Sequence, residues 1–392
     1  RRMNNPRITR IEWARLEGTR PRPAGSNARL GPHGSIVRPS IARVTCDDGS
    51  TGIGPARLTR EQAVPLLGQR LDTLLLADEG AARAVRPDAT AGDSWVSLEY
   101  PLWDLAAKMA GAPVYSLAAS VAGRKSPTEP LRVRCYDTSL YIDDLDIADD
   151  GDAAKLIADE ARQGYERGHR NCKIKVGRGA RHMPLEQGTR RDVAVIRAVR
   201  EAMGPDAIVM IDANNGYNLN LAKRVLLETG DCDIYWLEEP FHEDGVLYRD
   251  LQDWIGKQGL SVQIADGEGQ ASPSLLTWAS EGLIDVVQYD IQALGFTRWL
   301  EIGKQVDSWG GSAAPHHYGG FFGNFTSGHL AAAIRGFEAI EWDEATVPGV
   351  DTSAYQVREG WVEMPTAPGF GLEYDEAMLE RAFAETGFDV SV

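Results

Sequence analysis

Short apolar runs recur along the chain after Pro130, and each is followed by a stretch in which the apolar residues keep helical spacing. The clearest helical stretches cover 153–167, 186–203 and 219–229. Strands that alternate with helices are typical of a parallel sheet built from βαβ units, and eight such units favour an α/β fold of the TIM-barrel type, (β/α)8 or (β/α)7β. The eight runs predicted to be strands are 133–136, 172–176, 207–211, 234–237, 262–265, 286–288, 312–314 and 337–340.

The first 129 residues lack this rhythm and predict a mixed α+β domain. Apolar alternation predicts strands over 7–16 and 36–46, and residues 47–50 form a turn into a further short strand at 52–54. The stretch 17–34 is rich in Gly, Pro and Arg, so we interpret it as a loop too long for a plain hairpin.

Helical spacing predicts two helices in the same domain, over 59–77 and 98–110. At the other end of the chain, the residues after Val350 again fall outside the strand–helix rhythm. We therefore predict an α+β domain of residues 1–129, a barrel of residues 130–349, and a C-terminal segment, 350–392, that packs back on the first domain.

Composition narrows the function classes without identifying one. The 392 residues include 41 Lys and Arg against 57 Asp and Glu, a net charge of −16, which argues against binding to nucleic acid or to an anionic membrane. The four cysteines lie far apart with no Cys-x-x-Cys pair, which argues against a disulfide scaffold and suits a reducing compartment. No segment resembles a secretory signal or a membrane span, so we expect a cytoplasmic protein.

Ionisable residues follow nearly every predicted strand, at the end where active sites of barrel folds lie. Three of them on successive strands, Asp212, Glu238 and Glu268, offer only carboxylate oxygens. Hard oxygen ligands without Cys or His suit Mg²⁺, so we predict a magnesium site there. The other ionisable residues at strand ends are Lys173, Lys175, Glu239, Asp290, His316, His317 and Glu341.

The cationic residues of this set are candidate acids and bases. Lys173 and Lys175 share one face of a strand whose flanks are apolar, and two ammonium groups near a divalent ion lower a lysine pKa toward the range of a general base. Asp290 precedes His316 by one strand, and a carboxylate behind an imidazole fixes its tautomer. For the neighbouring His317, a structural role is the more common alternative.

The order of these motifs resembles the enolase superfamily and, within it, the mandelate racemase subgroup. The resemblance covers almost the whole chain. One departure is that the Gly-Gly usual after the strand-six Asp is replaced by Leu294-Gly295-Phe296. The matching motifs are KIK at 173–175, IDANNGY at 211–217, WLEEPF at 236–241, ADGEGQ at 265–270, QYDIQALGFT at 288–297, APHHYGG at 314–320 and AIEW at 339–342, with ARVTCDDGSTGIG, EYPLWDLAAKMAGAPVYSL and PGFGLEYDE resembling the capping domain and its returning C-terminal segment.

The resemblance implies Mg²⁺-dependent removal of the proton α to a carboxylate. Lys175 and His316 would serve as base and acid, in an order that the sequence leaves open. Lys173 and Mg²⁺ would stabilise the developing charge, and Glu341, if protonated, would donate a hydrogen bond to it. Asn214 is expected to contact the substrate. The form Pro-His-x-x-Gly resembles the sugar-acid dehydratases of the subgroup, which favours dehydration of an aldonate or aldarate to a 2-keto-3-deoxy acid.

The capping loop is expected to close over the substrate. It carries Arg20, Arg22, Arg29 and His33, which suit several hydroxyls or a second carboxylate, and His317 is a further candidate contact. Solvated loop charges are the alternative for the arginines. Rival functions are a racemase or epimerase of a 2-hydroxy acid, a cycloisomerase of a sugar-acid lactone, and a sugar-acid binder without activity. The resemblance also implies a homo-oligomer.

Overall fold

The computed structural model describes residues 5–78, 81–85 and 96–392. The N-terminal part combines strands with three α-helices. Its elements are β1 (Ile8–Arg15), β2 (Gly18–Ala24), β3 (Gly34–Val37), β4 (Ser40–Cys46), β5 (Thr51–Pro55), α1 (Arg60–Ala63), β6 (Leu75–Asp78), β7 (Ala81–Val85), α2 (Glu99–Met109) and α3 (Val114–Val121). The strands predicted over 7–16 and 52–54 and the helix over 98–110 are confirmed, whereas the strand predicted over 36–46 is divided into β3 and β4 at Arg38 and Pro39.

The predicted loop over 17–34 is wrong in part, because β2 lies within it and pairs antiparallel with β3. The pairing is broken between Thr19 and Ala24, where Pro21 and Pro23 have no N–H to donate. The proline-rich composition that indicated a loop therefore marks an interrupted hairpin.

The predicted helix over 59–77 is also wrong. Only Arg60–Ala63 is α-helical, with Thr59 capping its N-terminus, and a 3₁₀ turn at Val64–Leu66 follows. Pro65 cannot continue a hydrogen-bonded helix, and Gly68 adopts a left-handed φ of 77° that ends it. The later residues of the stretch enter β6 instead.

The middle of the chain alternates strands and helices, as predicted. All eight predicted strands are present in the parallel sheet, although several are shorter or shifted by a few residues. The elements are β8 (Arg132–Leu140), α4 (Asp150–Glu166), β9 (Asn171–Lys175), α5 (Leu185–Met203), β10 (Ile208–Asp212), α6 (Leu219–Glu228), β11 (Ile234–Glu238), α7 (Gly245–Gln258), β12 (Gln263–Asp266), α8 (Leu275–Ser280), β13 (Val286–Val287), α9 (Ile291–Leu294), α10 (Phe296–Ser308), β14 (Ser312–Ala313), α11 (Gly323–Thr326) and β15 (Ile340–Trp342).

These eight strands pair in parallel and mostly in chain order. Strands β8 to β14 follow one another, and β15 pairs with the first of them, β8. One face of the sheet carries a buried cluster to which most of the strands contribute. Its members are Tyr136, Met210, Trp236, Ala265, Val286, Ala314 and Ala339. The mixed α/β class is therefore confirmed.

The C-terminal residues return to earlier parts of the chain. Strand β20 (Gly387–Ser391) pairs antiparallel with β1, so the last strand extends the sheet β20-β1-β4-β5, and β18 (Trp361–Glu363) pairs with β8. Among the described residues, no helix is long and apolar enough to cross a membrane. The C-terminal elements are β16 (Val350–Asp351), β17 (Val357–Arg358), β18 (Trp361–Glu363), β19 (Glu373–Tyr374), α12 (Glu376–Thr386) and β20 (Gly387–Ser391).

Candidate active site

Strand register brings the predicted site residues to one level of the sheet. Asp212 at the end of β10 lies opposite Lys175 of β9 on one side and Glu238 of β11 on the other. Glu268 follows β12 by two residues, after Gly267, whose φ of 130° suits glycine. Parallel neighbours that end together place their terminal side chains in one cluster.

The three carboxylates form a group that could hold a metal ion. One oxygen from each of Asp212, Glu238 and Glu268 lies within 4.8 Å of the others. Asp212 and Glu238 are fully buried, and burial raises the pKa of Glu238 to about 7 although Lys173 opposes that shift. All three donors are hard oxygens, so the residues fit a divalent ion such as Mg²⁺. We call these residues the carboxylate triad.

Asn214 lies beside the triad. Its Nδ2 is 3.4 Å from Oε1 of Glu268 and 3.2 Å from Oε2 of Glu239. Its Oδ1 is buried and accepts no hydrogen bond from any described residue. An unpartnered buried oxygen is costly in a folded protein, so this atom is free to receive a ligand at the triad.

Lys173 is buried among carboxylates. Its Nζ is 2.7 Å from Oε1 of Glu238, 2.8 Å from Oε1 of Glu341 and 5.4 Å from the ring centre of Tyr136. Burial alone would lower the pKa of Lys173, but Glu238 and Glu341 together hold it well above its usual value. The side chain is therefore a fixed positive charge.

Lys175 contacts Asp212 and lies with its Nζ 5.2 Å from the ring centre of Tyr141. Burial alone would lower its pKa, but the Asp212 carboxylate outweighs that effect and raises the pKa of Lys175. The lowered lysine pKa expected from the sequence requires the additional positive charge of a metal ion, because the protein's own groups favour the ammonium form.

His316 and Asp290 form the predicted pair. Nδ1 of His316 is 2.9 Å from Oδ2 of Asp290, and its Nε2 is 3.0 Å from Oε2 of Glu268. The other oxygen of Asp290 caps α9, which fixes the carboxylate. Burial would lower the pKa of His316, but Glu268, Glu341 and Asp290 raise it well above its usual value. The imidazole is thus oriented from both of its nitrogens.

The groups around Glu341 favour its ionised form over the protonated form considered from the sequence. It accepts hydrogen bonds from Oγ1 of Thr138 at 2.7 Å and from the backbone N of His317 at 2.5 Å, and it pairs with Lys173. Burial acts to raise the pKa of Glu341, but Lys173 and His316 outweigh burial and lower it to about 2. In this arrangement Glu341 accepts hydrogen bonds from both of these donors, Thr138 and the backbone N of His317.

His317 is held inside the protein. Its side chain is fully buried, burial lowers its pKa, and a Cβ at Gly323 would lie 2.1 Å from its Nδ1. The ring packs directly against this glycine. Its buried Nε2 has no hydrogen-bond partner among the described residues, so the predicted substrate contact stays a prediction, and the backbone N of His317 orients Glu341.

Residues 18–37, here called the cap segment, contact the ends of the central strands. Arg20 makes a two-pronged pair with Asp343, at 2.8 and 2.9 Å, and Arg29 donates to the backbone oxygens of Asn214 and Asn215, each at 3.0 Å. The arginines of this segment were expected to face substrate groups. In the structure, Arg20 and Arg29 instead bind groups of the protein itself.

Two further predicted residues of the cap segment are also engaged. Arg22 pairs with Glu160 at 3.3 Å and donates to the backbone oxygen of Ser139 at 3.1 Å. Nδ1 of His33 lies 2.8 Å from the backbone oxygen of Gly25. Among the described residues, no hydrogen-bond or ion-pair partner contacts the Nε2 of His33.

An aromatic surface beside Lys175 was not predicted. The rings of Tyr141 and Tyr318 stack at 4.9 Å, and the His33 ring meets their edges at 4.9 and 5.6 Å. Tyr141 and Tyr318 each follow a strand end closely, which is the signal that could have identified them. We call His33, Tyr141 and Tyr318 the aromatic wall.

A buried ionic network behind β9 was also missed. Nη1 of Arg178 donates to the backbone oxygen of Lys175 at 3.2 Å and to Asp192 at 2.8 Å, and Nη2 pairs with Asp144 at 2.6 Å. Asp192 in turn accepts from the backbone N of Gly177 at 2.8 Å. This network fixes the turn that follows Lys175.

Comparisons with known proteins agree with this arrangement. The family model described as enolase C-terminal domain-like matches residues 156–378. A galacturonate dehydratase from Geobacillus sp., crystallised with D-galacturonate and 5-keto-4-deoxy-D-galacturonate, is 46% identical with a TM-score of 0.90, and 98% of each chain is covered. A mandelate racemase/muconate lactonizing protein from Geobacillus sp. Y412MC10, crystallised with magnesium and tartrate, is 45% identical with a TM-score of 0.92, covering 98% of this chain and 97% of the other.

A more distant relative is the D-galactarolactone cycloisomerase of Agrobacterium fabrum, 27% identical over 371 residues that cover 86% of this chain and 89% of the relative. The family match spans more than half of the chain, and two solved structures exceed 40% identity over nearly its full length. The chain therefore belongs to the enolase C-terminal domain-like family, among the mandelate racemase and muconate lactonizing proteins of the enolase superfamily.

Proposed function

We propose that this protein is a Mg²⁺-dependent dehydratase of acid sugars. It would remove the proton α to the substrate carboxylate and expel the β-hydroxyl, giving a 2-keto-3-deoxy acid or its uronate counterpart. The observation that carries this proposal is the placement of Lys175 at one end of the carboxylate triad, against Asp212, and His316 at the other end, against Glu268. The 46% identical galacturonate dehydratase supports it.

Asp212, Glu238 and Glu268 are the residues that would hold the metal ion. When bound, Mg²⁺ supplies Lewis-acid stabilisation of negative charge on the substrate carboxylate. Lys173 adds a fixed positive charge beside Glu238, and Glu341 keeps the Lys173 ammonium in place through its 2.8 Å contact. A preorganised charge of this kind costs no reorganisation as the α-carbon loses its proton.

Lys175 and His316 would carry out the two proton transfers of the reaction. One of them takes the α-proton, and the C–O bond to the β-carbon then breaks while the other gives its proton to the departing hydroxyl, which leaves as water. The resulting enol tautomerises to the ketone. Asp290 holds the His316 ring in the required orientation. The configuration of the substrate at its α-carbon decides which residue is the base.

A cycloisomerase of a sugar-acid lactone is the second candidate, favoured by the 27% identical D-galactarolactone cycloisomerase. Lactone opening also begins with removal of an α-proton, so the same base would serve. Racemisation or epimerisation would need only the two bases. Product structure separates these reactions, because dehydration alone releases water and forms a keto acid.

The proposal includes the architecture expected of such a site. We propose that the eight parallel strands close into a barrel of residues 130–349, that residues 1–129 form a capping domain, and that 350–392 complete it. The parallel bridge between Ala313 and Phe337, just before β15, supports closure, and the pairing of β20 with β1 supports the C-terminal return. Assembly into a homo-oligomer stays a prediction. The four cysteines are buried and unpaired, which supports a reducing, cytoplasmic compartment.

A panel of aldonates, aldarates and uronates tests the reaction. Each acid is incubated with the enzyme and Mg²⁺, and the keto acid is detected as its semicarbazone. We expect product from at least one acid, lost on chelation and in Lys175→Ala and His316→Asn. Lys304→Ala, at an exposed position on α10, is the control. Absence of keto acid across the panel, or undiminished product from Lys175→Ala, would contradict the proposal.

A further inference from the structure

We propose that the substrate carries a single carboxylate, and that the Arg20–Asp343 pair is the specificity-determining feature that excludes a second one. This inference rests on the proposed function, since it assumes that the reacting carbon lies beside Lys175. It replaces the wider expectation from the sequence, in which the cap arginines could receive a second carboxylate.

The aromatic wall leads from Lys175 to Arg20. Nζ of Lys175 lies 5.2 Å from the ring centre of Tyr141, the Tyr141 ring stacks on Tyr318 at 4.9 Å, and the Arg20 guanidinium carbon lies 4.5 Å from the Tyr318 ring centre. A sugar acid whose α-carbon lies at Lys175 therefore has this wall beside it. The end of the substrate far from the triad points toward Arg20 and Asp343.

Arg20 is already paired with a carboxylate of the protein. Its Nε and Nη2 bind the two oxygens of Asp343 at 2.8 and 2.9 Å, and the two side chains are 6% and 2% exposed. The backbone N of Gly319 donates to Oδ2 of Asp343 at 2.9 Å. A buried two-pronged pair with this support is strong, so Arg20 is not free to bind a substrate carboxylate.

Two further arginines also face carboxylates. Arg22 lies 3.3 Å from Glu160 and 4.0 Å from Asp143. Arg167 lies 3.6 Å from Glu344 and 3.9 Å from Asp137, in ion pairs that are too long for hydrogen bonds. Both arginines line one small cavity with Arg20.

Arg29 has no carboxylate partner among the described residues, but it does not serve this end of the site. Its side chain is exposed, and it donates to the backbone oxygens of Asn214 and Asn215, which lie beside the carboxylate triad. A second carboxylate at the aromatic wall would therefore lie near Asp343 without an unpaired cation. Like charges brought together in this way repel each other and weaken binding.

The wall suits an uncharged, hydroxyl-rich group. The Tyr318 hydroxyl is buried without a hydrogen-bond partner among the described residues, so it can bind a substrate hydroxyl. Burial lowers the pKa of His33, which keeps its ring neutral, and only its Nδ1 contacts a protein acceptor. A hemiacetal or a polyol end fits these groups, whereas a carboxylate does not.

D-galacturonate and galactarate test the inference, because they differ only in the oxidation of one terminal carbon. Their Kd values are measured by calorimetry with Mg²⁺ and the His316→Asn variant, which stops turnover without altering the wall. We expect D-galacturonate to bind at least about 30-fold more tightly than galactarate. Equal binding, tighter binding of galactarate, or no binding of either acid overturns the inference.

Substitutions of the pair give a second, independent arm. Asp343→Asn removes the repelling charge and leaves Arg20 unmatched, so galactarate should gain at least about tenfold in affinity relative to D-galacturonate. The gain should vanish in Arg20→Met/Asp343→Asn, and Arg29→Met should leave the ratio of the two Kd values unchanged. A gain that persists without Arg20 overturns the assignment of this pair.

The proposed reaction is judged separately, by keto-acid formation with the wild-type enzyme. If D-galacturonate binds selectively and no acid is dehydrated, the dehydratase proposal fails while the charge inference stands. If galactarate is dehydrated as efficiently as D-galacturonate, the dehydratase proposal stands and the charge inference fails.

Discussion

The carboxylates at the strand ends show how single residues set the properties of the site. Asp212 and Glu238 are fully buried, and such charges are tolerated only beside opposite ones. Lys173, Lys175 and His316 supply these charges by direct contact. A divalent ion at the triad would add positive charge beside the same carboxylates, so its binding should stabilise the fold.

Replacement of Glu238 tests this metal site. We expect Mg²⁺ at about 100 times its Kd to stabilise the wild-type protein by about 2.7 kcal/mol, since it binds only the folded state. Glu238→Gln removes one charged ligand and should abolish most of the resulting rise in Tm. Thermal unfolding with and without Mg²⁺ measures the difference.

Glu160→Gln provides the matched control. Glu160 is likewise buried, but it pairs with Arg22 and not with the triad, so its Tm should still rise with Mg²⁺. Equal Mg²⁺ stabilisation of Glu238→Gln and Glu160→Gln would show that the ion binds elsewhere.

His329 gives a prediction of pH dependence far from the triad. Its Nδ1 accepts from the backbone N of Tyr115 at 3.0 Å and its Nε2 faces the Tyr355 hydroxyl at 2.8 Å. Burial lowers the pKa of His329 to about 3, against about 6.5 in an unfolded chain. Between these values only the unfolded chain takes up the proton. The free energy of unfolding should therefore fall with pH below about 6.5, by up to about 1.4 kcal/mol per unit.

Urea unfolding of the wild type and His329→Gln between pH 7 and pH 5 measures this contribution. The variant should be less stable at pH 7 and should lose less stability on acidification. His242→Gln, which removes an exposed imidazole, is the control. Parallel pH profiles for the wild type and His329→Gln would refute the assignment.

At the scale of elements, the turn after β9 joins the cap segment to the site. Gly177 has a φ of 89°, and a Cβ there would lie 2.8 Å from the Cβ of Ala28 in the cap segment and 3.1 Å from the backbone oxygen of Ala213. The glycine is needed for its backbone conformation and for this close approach.

Gly177→Ala should therefore lower the free energy of unfolding by more than backbone strain alone would. Gly259 offers a matched control, because it has the same left-handed backbone, with φ 67° and ψ 26°, and no atom lies within 4 Å of an added Cβ. Gly259→Ala should destabilise the protein by about 1–2 kcal/mol and leave kcat/KM unchanged. Gly177→Ala should destabilise it further and lower kcat/KM, as the cap segment is displaced. Similar kcat/KM for both variants would contradict a role for this contact.

The elements that sequence patterns predicted well are those with strong periodicity. The eight strands of the parallel sheet and the helix at α2 were placed within a few residues, because each buries a regular apolar face. The helix predicted over 59–77 failed at Pro65 and Gly68, whose local effects overrode apolar spacing. Strand β2 was missed because its pairing depends on contacts with β3 that composition does not reveal.

At the scale of the whole molecule, the two ends of the chain meet in one sheet. Val390 of β20 pairs with Ile11 of β1 and is buried, whereas its neighbour Ser391 is exposed. Val390→Asp should destabilise the protein by about 3 kcal/mol or more, since it buries an unpaired carboxylate, and Ser391→Asp should have little effect. Comparable Tm values for the two variants would show that the chain ends do not unfold together with the rest.

The site was predictable to the extent that local motifs carry it. The ordered carboxylates, the Lys-x-Lys pair and the Asp290–His316 pair follow from strand ends alone, because parallel strands bring them together. The partners of the cap arginines were not predictable. Arg20 and Asp343 are 323 positions apart, and no local pattern links them.

Proton NMR in D₂O follows removal of the α-proton itself. D-galacturonate and the other acids of the panel are incubated with Mg²⁺ and the wild-type enzyme or the Lys175→Ala/His316→Asn variant. We expect the α-proton signal of at least one acid to disappear with the wild-type enzyme, as a deoxy-keto product forms, and to persist with the variant. An unchanged α-proton signal in every acid, or equal loss with the variant, would contradict proton abstraction at this site.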